Sequence, residues 1–141
     1  MRAAKEAATE TAHSLGIPTP VVIGVTVLTS TDQQMLNEEL RITGRVEDQV
    51  VHLALLARQA GLDGIVASPH EIEIVREACG SAFIVVTPGI RLSGSSVNDQ
   101  KRVMTPQEAI RRGADYLVIG RPITRAQDPV AAARAASREL E

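Results

Sequence analysis

Branched apolar runs alternate with stretches of helical spacing along this chain. Met1 to about Leu15 is Ala-rich and built of good helix formers, and Gly16 stops it. The run "VVIGVTVL" at 21–28 is almost continuously β-branched, which suits a parallel strand covered on both faces. Helical spacing returns from about Val46 to Ala60, with Leu53, Leu56, Ala57 and Ala60 on one face and Gly61 as its end. A short strand, "GIVA", follows at 64–67. "SPHEIEIVREACG" at 68–80 predicts a helix in which Ser68 caps, Pro69 takes the first turn and Glu71 stands at capping-box spacing. "FIVV" at 83–86 is a third strand. "TPQEAIRRG" at 105–113 repeats the start signal, with Thr105 as cap, Pro106 next and Glu108 completing the box. "YLVIG" at 116–120 is a fourth strand, and Asp128 with Pro129 opens a final Ala-rich helix.

Two segments read as copies of one unit. "ARQAGLDGIVASPHE" and "IRRGADYLVIGRPIT" each run helix, Gly, Asp, strand and polar turn. That rhythm predicts parallel β/α units with helical crossovers. The expected fold is α/β, about four strands and five helices, in one domain over residues 1–141. A full (β/α)₈ barrel takes roughly 250 residues, so four strands amount to half of one. Half a barrel leaves two strand edges open, "VVIGVTVL" on one side and "YLVIG" on the other. Open apolar edges promote association, so completion by self-association into a homo-oligomer is expected.

Composition narrows the function. The chain has 141 residues, 44% of them apolar, with a net charge of −2, one Phe, one Tyr and no Trp. The core must be aliphatic. A near absence of aromatics argues against a stacking surface for single strands, and the mildly acidic balance argues against a nucleic-acid partner or a membrane surface. No apolar stretch approaches the about 18 residues of a membrane span. The single cysteine, Cys79, fits a reducing compartment, and the cytoplasm is the expected location. No G-x-G-x-x-G fingerprint or P-loop is present. His13, His52 and His70 fall at unrelated helix positions, so no metal is expected.

The chemistry concentrates where strands end, as parallel β/α folds require. Two of the four ends carry an arginine: Arg91 after "VVTPGI" and Arg121 after "LVIG". A phosphate dianion is held by backbone N–H groups and by the forked guanidinium of arginine. Gly120 permits close approach of the backbone beside Arg121, and Gly89 serves the turn that carries Arg91. The polar stretch "LSGSSVNDQK" at 92–101 has the content of a closure loop over an anion.

In order and spacing, "GVTVLTS", "GLDGIVAS", "VTPGIR", "DQKRVMTPQEAIRRGADYLVIGRPIT" and "DPVAA" resemble the C-terminal half of orotidine 5′-phosphate decarboxylase. The resemblance covers nearly the whole chain. It implies a TIM-type (β/α)₈ barrel that converts orotidine monophosphate to uridine monophosphate and CO₂, with neither cofactor nor metal, in pyrimidine biosynthesis. It implies that Arg91 and Arg121 contact the phosphate, that Gln100 reaches it from the loop, and that Gly120 presents its backbone there. It places Thr29 near the pyrimidine and Pro88 in the pocket lining. The family's D-x-K-x-x-D array is absent, and Met1 falls where the fourth helix of such a barrel would start. The expectation is therefore a ligand-gripping half, truncated relative to the family, with no catalytic residue in this chain. A non-catalytic nucleotide- or sugar-phosphate-binding module is the alternative. A 3-keto-gulonate-phosphate decarboxylase-like enzyme is a further one, which the "TPGIR…DQ" pairing fits less well.

Overall fold

A computed structural model of the chain describes residues 1–92 and 104–140. Its elements run α1 (Arg2–Leu15), β1 (Ile23–Val25), a π-helical turn (Met35–Glu39), α2 (Val46–Gln59), β2 (Gly64–Val66), a 3₁₀ turn (Pro69–Glu71), α3 (Ile72–Cys79), β3 (Ile84–Thr87), α4 (Pro106–Arg111), β4 (Tyr116–Leu117), α5 (Arg121–Thr124) and α6 (Pro129–Arg138). The four strands form one parallel sheet in the order β1-β2-β3-β4. Every strand thus enters from one rim and ends at the other, as expected of successive β/α units.

The two faces of the sheet differ. The register aligns Gly24, Ile65 and Val85 across the strands. A Cβ added at Gly24 would lie 3.2 Å from Leu62 and 3.6 Å from Ala57, so this face looks toward α2. Ile65 and Val85 are 0% exposed there, and they join Val50, Ala54, Ala57, Ile72 and Val75 of the flanking helices in the core. The opposite face carries Ile23, Val25, Val66, Ile84, Val86 and Tyr116 by alternation. It is apolar too, yet Val25 is 62% and Tyr116 60% exposed. Parallel strands are ordinarily covered on both faces. Among the described residues, helices cover one face of this sheet.

The two sequence copies fold as copies. Asp63, just before β2, accepts the Val22 N–H at 2.7 Å and donates its own N–H to the Val22 carbonyl at 2.9 Å. Asp115, just before β4, accepts the Val85 N–H at 2.7 Å and donates to the Val85 carbonyl at 3.0 Å. Each carboxylate clips the start of the preceding strand, and each is held by a cation from the helix before that strand. Lys5 of α1 reaches both oxygens of Asp63, at 2.7 and 2.6 Å. Arg76 of α3 reaches Asp115 at 2.5 Å and also donates to the Gly113 and Phe83 carbonyls. The lysine hydrogen bond, followed by the Val22 N–H, holds the Asp63 carboxyl below its ordinary range.

Several expectations need correction. The strands are shorter than the apolar runs: Ile23–Val25 within 21–28, and Tyr116–Leu117 within 116–120. Both are edge strands with a neighbour on one side only, so pairing stops where that neighbour turns away. The segment 68–80 is not one helix. Ser68 has the extended backbone of a cap, but its buried Oγ makes no capping bond, and a 3₁₀ turn precedes α3. Thr105 does cap α4, accepting the Glu108 N–H, whereas the Glu108 carboxylate accepts from Arg112 four residues on. Asp128 caps α6 as expected, accepting from the Val130 and Ala131 N–H groups at 3.0 Å each.

Candidate phosphate-binding rim

The residues singled out at strand ends share the C-terminal rim of the sheet, because all four strands run parallel. The rim is best defined between β3 and β4. The ladder continues past β4 through the Val118 N–H, which donates to the Thr87 carbonyl at 2.9 Å. Beyond Thr87 the chain turns at Pro88 and Gly89. Gly89 takes φ 81°, a left-handed conformation that a residue with a Cβ adopts only under strain. That turn answers for the Pro-Gly pair. It carries the chain to Ile90, which is fully buried and pairs with Met104 in a parallel bridge.

Arg91 follows at once. Its N–H donates to the Met104 carbonyl at 3.0 Å, and its Nη1 donates to the Ile90 carbonyl at 3.1 Å. The backbone of Arg91 is therefore fixed, and the half-buried side chain starts from a fixed point on the rim. On the neighbouring strand end, Gly120 is the N-cap of α5 and Arg121 is its first residue. The Ile123 and Thr124 N–H groups donate to the Gly120 carbonyl, at 2.9 and 3.0 Å. A Cβ added at Gly120 would meet no atom within 4 Å, so the approach to its backbone is open. Arg121 is half-buried.

Arg91, Gly120 and Arg121 thus follow adjacent strands, and Pro88 lies in the turn leading to Arg91. Thr29 belongs to the same rim but follows β1, at the far edge of the open sheet with β2 and β3 between. Gln100 lies outside the described residues. No group of three or more His, Cys, Asp or Glu side chains able to hold a metal occurs among the described residues. Cys79, the last residue of α3, is buried, and that burial pushes its thiol pKa up, away from nucleophilic character.

Beyond β1 the π-helical turn encloses a cavity of about 360 Å³, lined mainly by apolar groups that include Leu28, Met35, Leu36 and Leu53. Asp32 accepts the Met35 N–H at 2.9 Å and starts the turn, while Leu36 anchors it in the core. The available signal was an Asp three residues ahead of a lone apolar pair, which is too short for a periodicity to register. Leu28 and Ser30, on either side of Thr29, line the cavity, but no arginine does.

Comparison with known proteins agrees with this architecture. Residues 1–136 match the model of the orotidine 5′-phosphate decarboxylase / HUMPS family. The orotidine 5′-phosphate decarboxylase of Moorella thermoacetica is 60% identical over 141 residues, which is all of this chain and 56% of the relative. That of Geobacter metallireducens is 61% identical over 112 residues, covering 79% of this chain and 46% of the relative. Among solved structures, the orotidine 5′-phosphate decarboxylase of Lactobacillus acidophilus superposes with a TM-score of 0.78 at 34% identity, over 99% of this chain and 57% of that one. The same enzyme from Pyrococcus horikoshii, at 22% identity and a TM-score of 0.61, shares the fold. The chain spans about half the length of these relatives, and its four strands with their helices correspond to half of their barrel. It belongs to the orotidine 5′-phosphate decarboxylase / HUMPS family.

Proposed function

We propose that this chain grips the phosphate of a pyrimidine nucleoside monophosphate, as the phosphate-binding half of an orotidine 5′-phosphate decarboxylase. The observation that carries the reading is the pair of arginines on adjacent strand ends, Arg91 fixed by the Ile90–Met104 bridge and Arg121 heading α5 beside Gly120. Two guanidinium groups and an approachable backbone suit a dianion. Gln100 contributes a further amide, and Thr29 and Pro88 border the base. No resident cofactor or metal takes part.

The reaction would be conversion of orotidine monophosphate to uridine monophosphate. The bond between the pyrimidine ring and its carboxylate breaks, CO₂ leaves, and the ring carbon takes a proton. The residues of this chain bind and orient the far end of that substrate. Holding a remote phosphate speeds the reaction only when it supports interactions at the reacting carbon. Those interactions belong to the D-x-K-x-x-D array of the family's other half, so this chain alone binds without turnover. Its action belongs to the cytoplasm.

Titration of uridine monophosphate, together with an assay of orotidine monophosphate consumption, tests this. The expected result is binding by the chain alone, and turnover only on addition of the N-terminal half of a relative. Binding without rescue makes the chain a nucleotide-phosphate-binding module. Absence of binding overturns the phosphate role.

A further inference from the structure

Asp63–Gly64 is the one place in the sequence where an Asp or Asn precedes a glycine. Two separate demands of the fold put the pair there. The clip needs the aspartate, whose carboxylate accepts the Val22 N–H at 2.7 Å while both oxygens accept from Lys5. The sheet needs the glycine, because a Cβ at position 64 would fall 2.2 Å from the Ile84 carbonyl oxygen and 2.5 Å from the Ile84 Cβ. The second clip shows that the demands are independent. Asp115 accepts the Val85 N–H in the same way, and the residue after it is Tyr116.

An Asp–Gly bond carries a chemistry of its own. The glycine nitrogen attacks the aspartate Cγ, forms an N–C bond and gives up its proton. One carboxyl oxygen leaves as water, and a five-membered succinimide closes. Water then adds back to the ring. Opening at Cγ restores aspartate. Opening at the aspartate carbonyl carbon breaks that carbon's bond to the glycine nitrogen, and the main chain then runs through Cβ and Cγ as isoaspartate, with no change in mass. Glycine favours the closure because it has no side chain to shield the nitrogen or to restrict its backbone.

We propose that Asp63–Gly64 is a latent isoaspartate site, and that the clip with Lys5 holds it closed in the folded chain. Ring closure needs the carboxyl carbon to swing over the Gly64 nitrogen. The carboxylate is instead turned toward Val22 and Lys5. The main chain is held as well. The Asp63 N–H donates to the Val22 carbonyl and the Asp63 carbonyl accepts the Ile84 N–H, both at 2.9 Å, and Gly64 pairs with Ile23 and Ile84. Every rotation the reaction requires therefore breaks a hydrogen bond of the clip or the ladder. The lysine hydrogen bond, followed by that of the Val22 N–H, also holds the carboxyl below its ordinary value, and a carboxylate is a poorer target for the nitrogen than the neutral acid. Once made, the isoaspartate adds a carbon to the main chain just ahead of β2 and takes the carboxylate out of the clip, so refolding does not reverse it. The inference does not rest on phosphate binding, and its test uses no ligand.

The test is prolonged incubation of the purified chain at neutral pH. An isoaspartyl methyltransferase with S-adenosylmethionine counts the isoaspartyl groups, and mapping of the tryptic peptide 59–76 locates them. The folded wild type should stay unconverted over a period in which the guanidinium-unfolded chain converts at position 63. Lys5→Met keeps the aliphatic stem and the helix propensity but loses the charge and the donors. It should convert about tenfold faster than the wild type or more, the scale of one lost hydrogen bond to a charged group, after each rate is corrected for the globally unfolded fraction. Lys5→Arg should restore the slow rate, and Asp115–Tyr116 should remain aspartate throughout. Lys5→Gln takes the place of Lys5→Met should circular dichroism show the latter unfolded. Equal rates in folded and unfolded wild type, no isoaspartate at position 63 in the unfolded chain, or a folded lysine variant as slow as the wild type would each overturn the proposal.

Discussion

Asp63 illustrates how one side chain can fix a strand, a helix and a pH dependence together. Its carboxylate receives Lys5 from α1 and the Val22 N–H ahead of β1, so it ties the first helix to the first strand. Replacing it by Asn should destabilise the fold by about 2 kcal/mol, the scale of a hydrogen bond to a charged group, as measured by urea unfolding. Its carboxyl is held below the ordinary value. The stabilisation is therefore complete above about pH 4, the unfolded aspartate value, and drains as the pH falls through the lower folded value. Asp63→Asn should flatten that acid limb of the stability curve, and an unchanged limb would remove Asp63 as its cause. At the rim, Arg121→Ala should weaken uridine monophosphate by about 1.5–3 kcal/mol while leaving uridine untouched. Equal weakening of both would count against the phosphate role. That Arg91, Gly120 and Arg121 would share one rim was legible because parallel strands all end on the same side of their sheet. The Asp63 and Asp115 clips appear in the sequence as a repeated "Gly…Asp" but not as a contact, because Lys5 lies 58 residues from its partner.

At the scale of elements, caps that depend on a local bond were legible and those that depend on packing were not. Asp128 and Thr105 have helices directly behind them and accept their N–H groups. Asp128→Ala should cost about 1 kcal/mol, read as a lowered urea midpoint with unchanged slope. Ser68 looks the same in sequence, yet it sits fully buried at the end of β2, where a 3₁₀ turn intervenes before α3. The apolar run 21–28 overstates β1 for a related reason. Composition reports what a strand could bury, and pairing reports what neighbours it has, and β1 has one. Ile65, in the middle of the covered face and fully buried, should lose about 2–5 kcal/mol on replacement by Ala.

At the scale of the described residues, the decisive asymmetry is a parallel sheet with helices on one face and partly exposed apolar residues on the other. The count of β/α units made half a barrel legible in sequence, but which residues remain uncovered follows from register alone. Thr29 shows the consequence for the site. It shares a rim with Arg91 and Arg121 yet stands at the opposite edge of the sheet, with β2 and β3 between. The most direct measurement of the central claim is amide chemical-shift mapping of the ¹⁵N-labelled chain, with uridine monophosphate and with uridine. The account predicts phosphate-dependent shifts concentrated at the amides of Arg91, Gly120 and Arg121. Shifts centred instead on the Met35–Glu39 cavity, or the same shifts with both ligands, would contradict it.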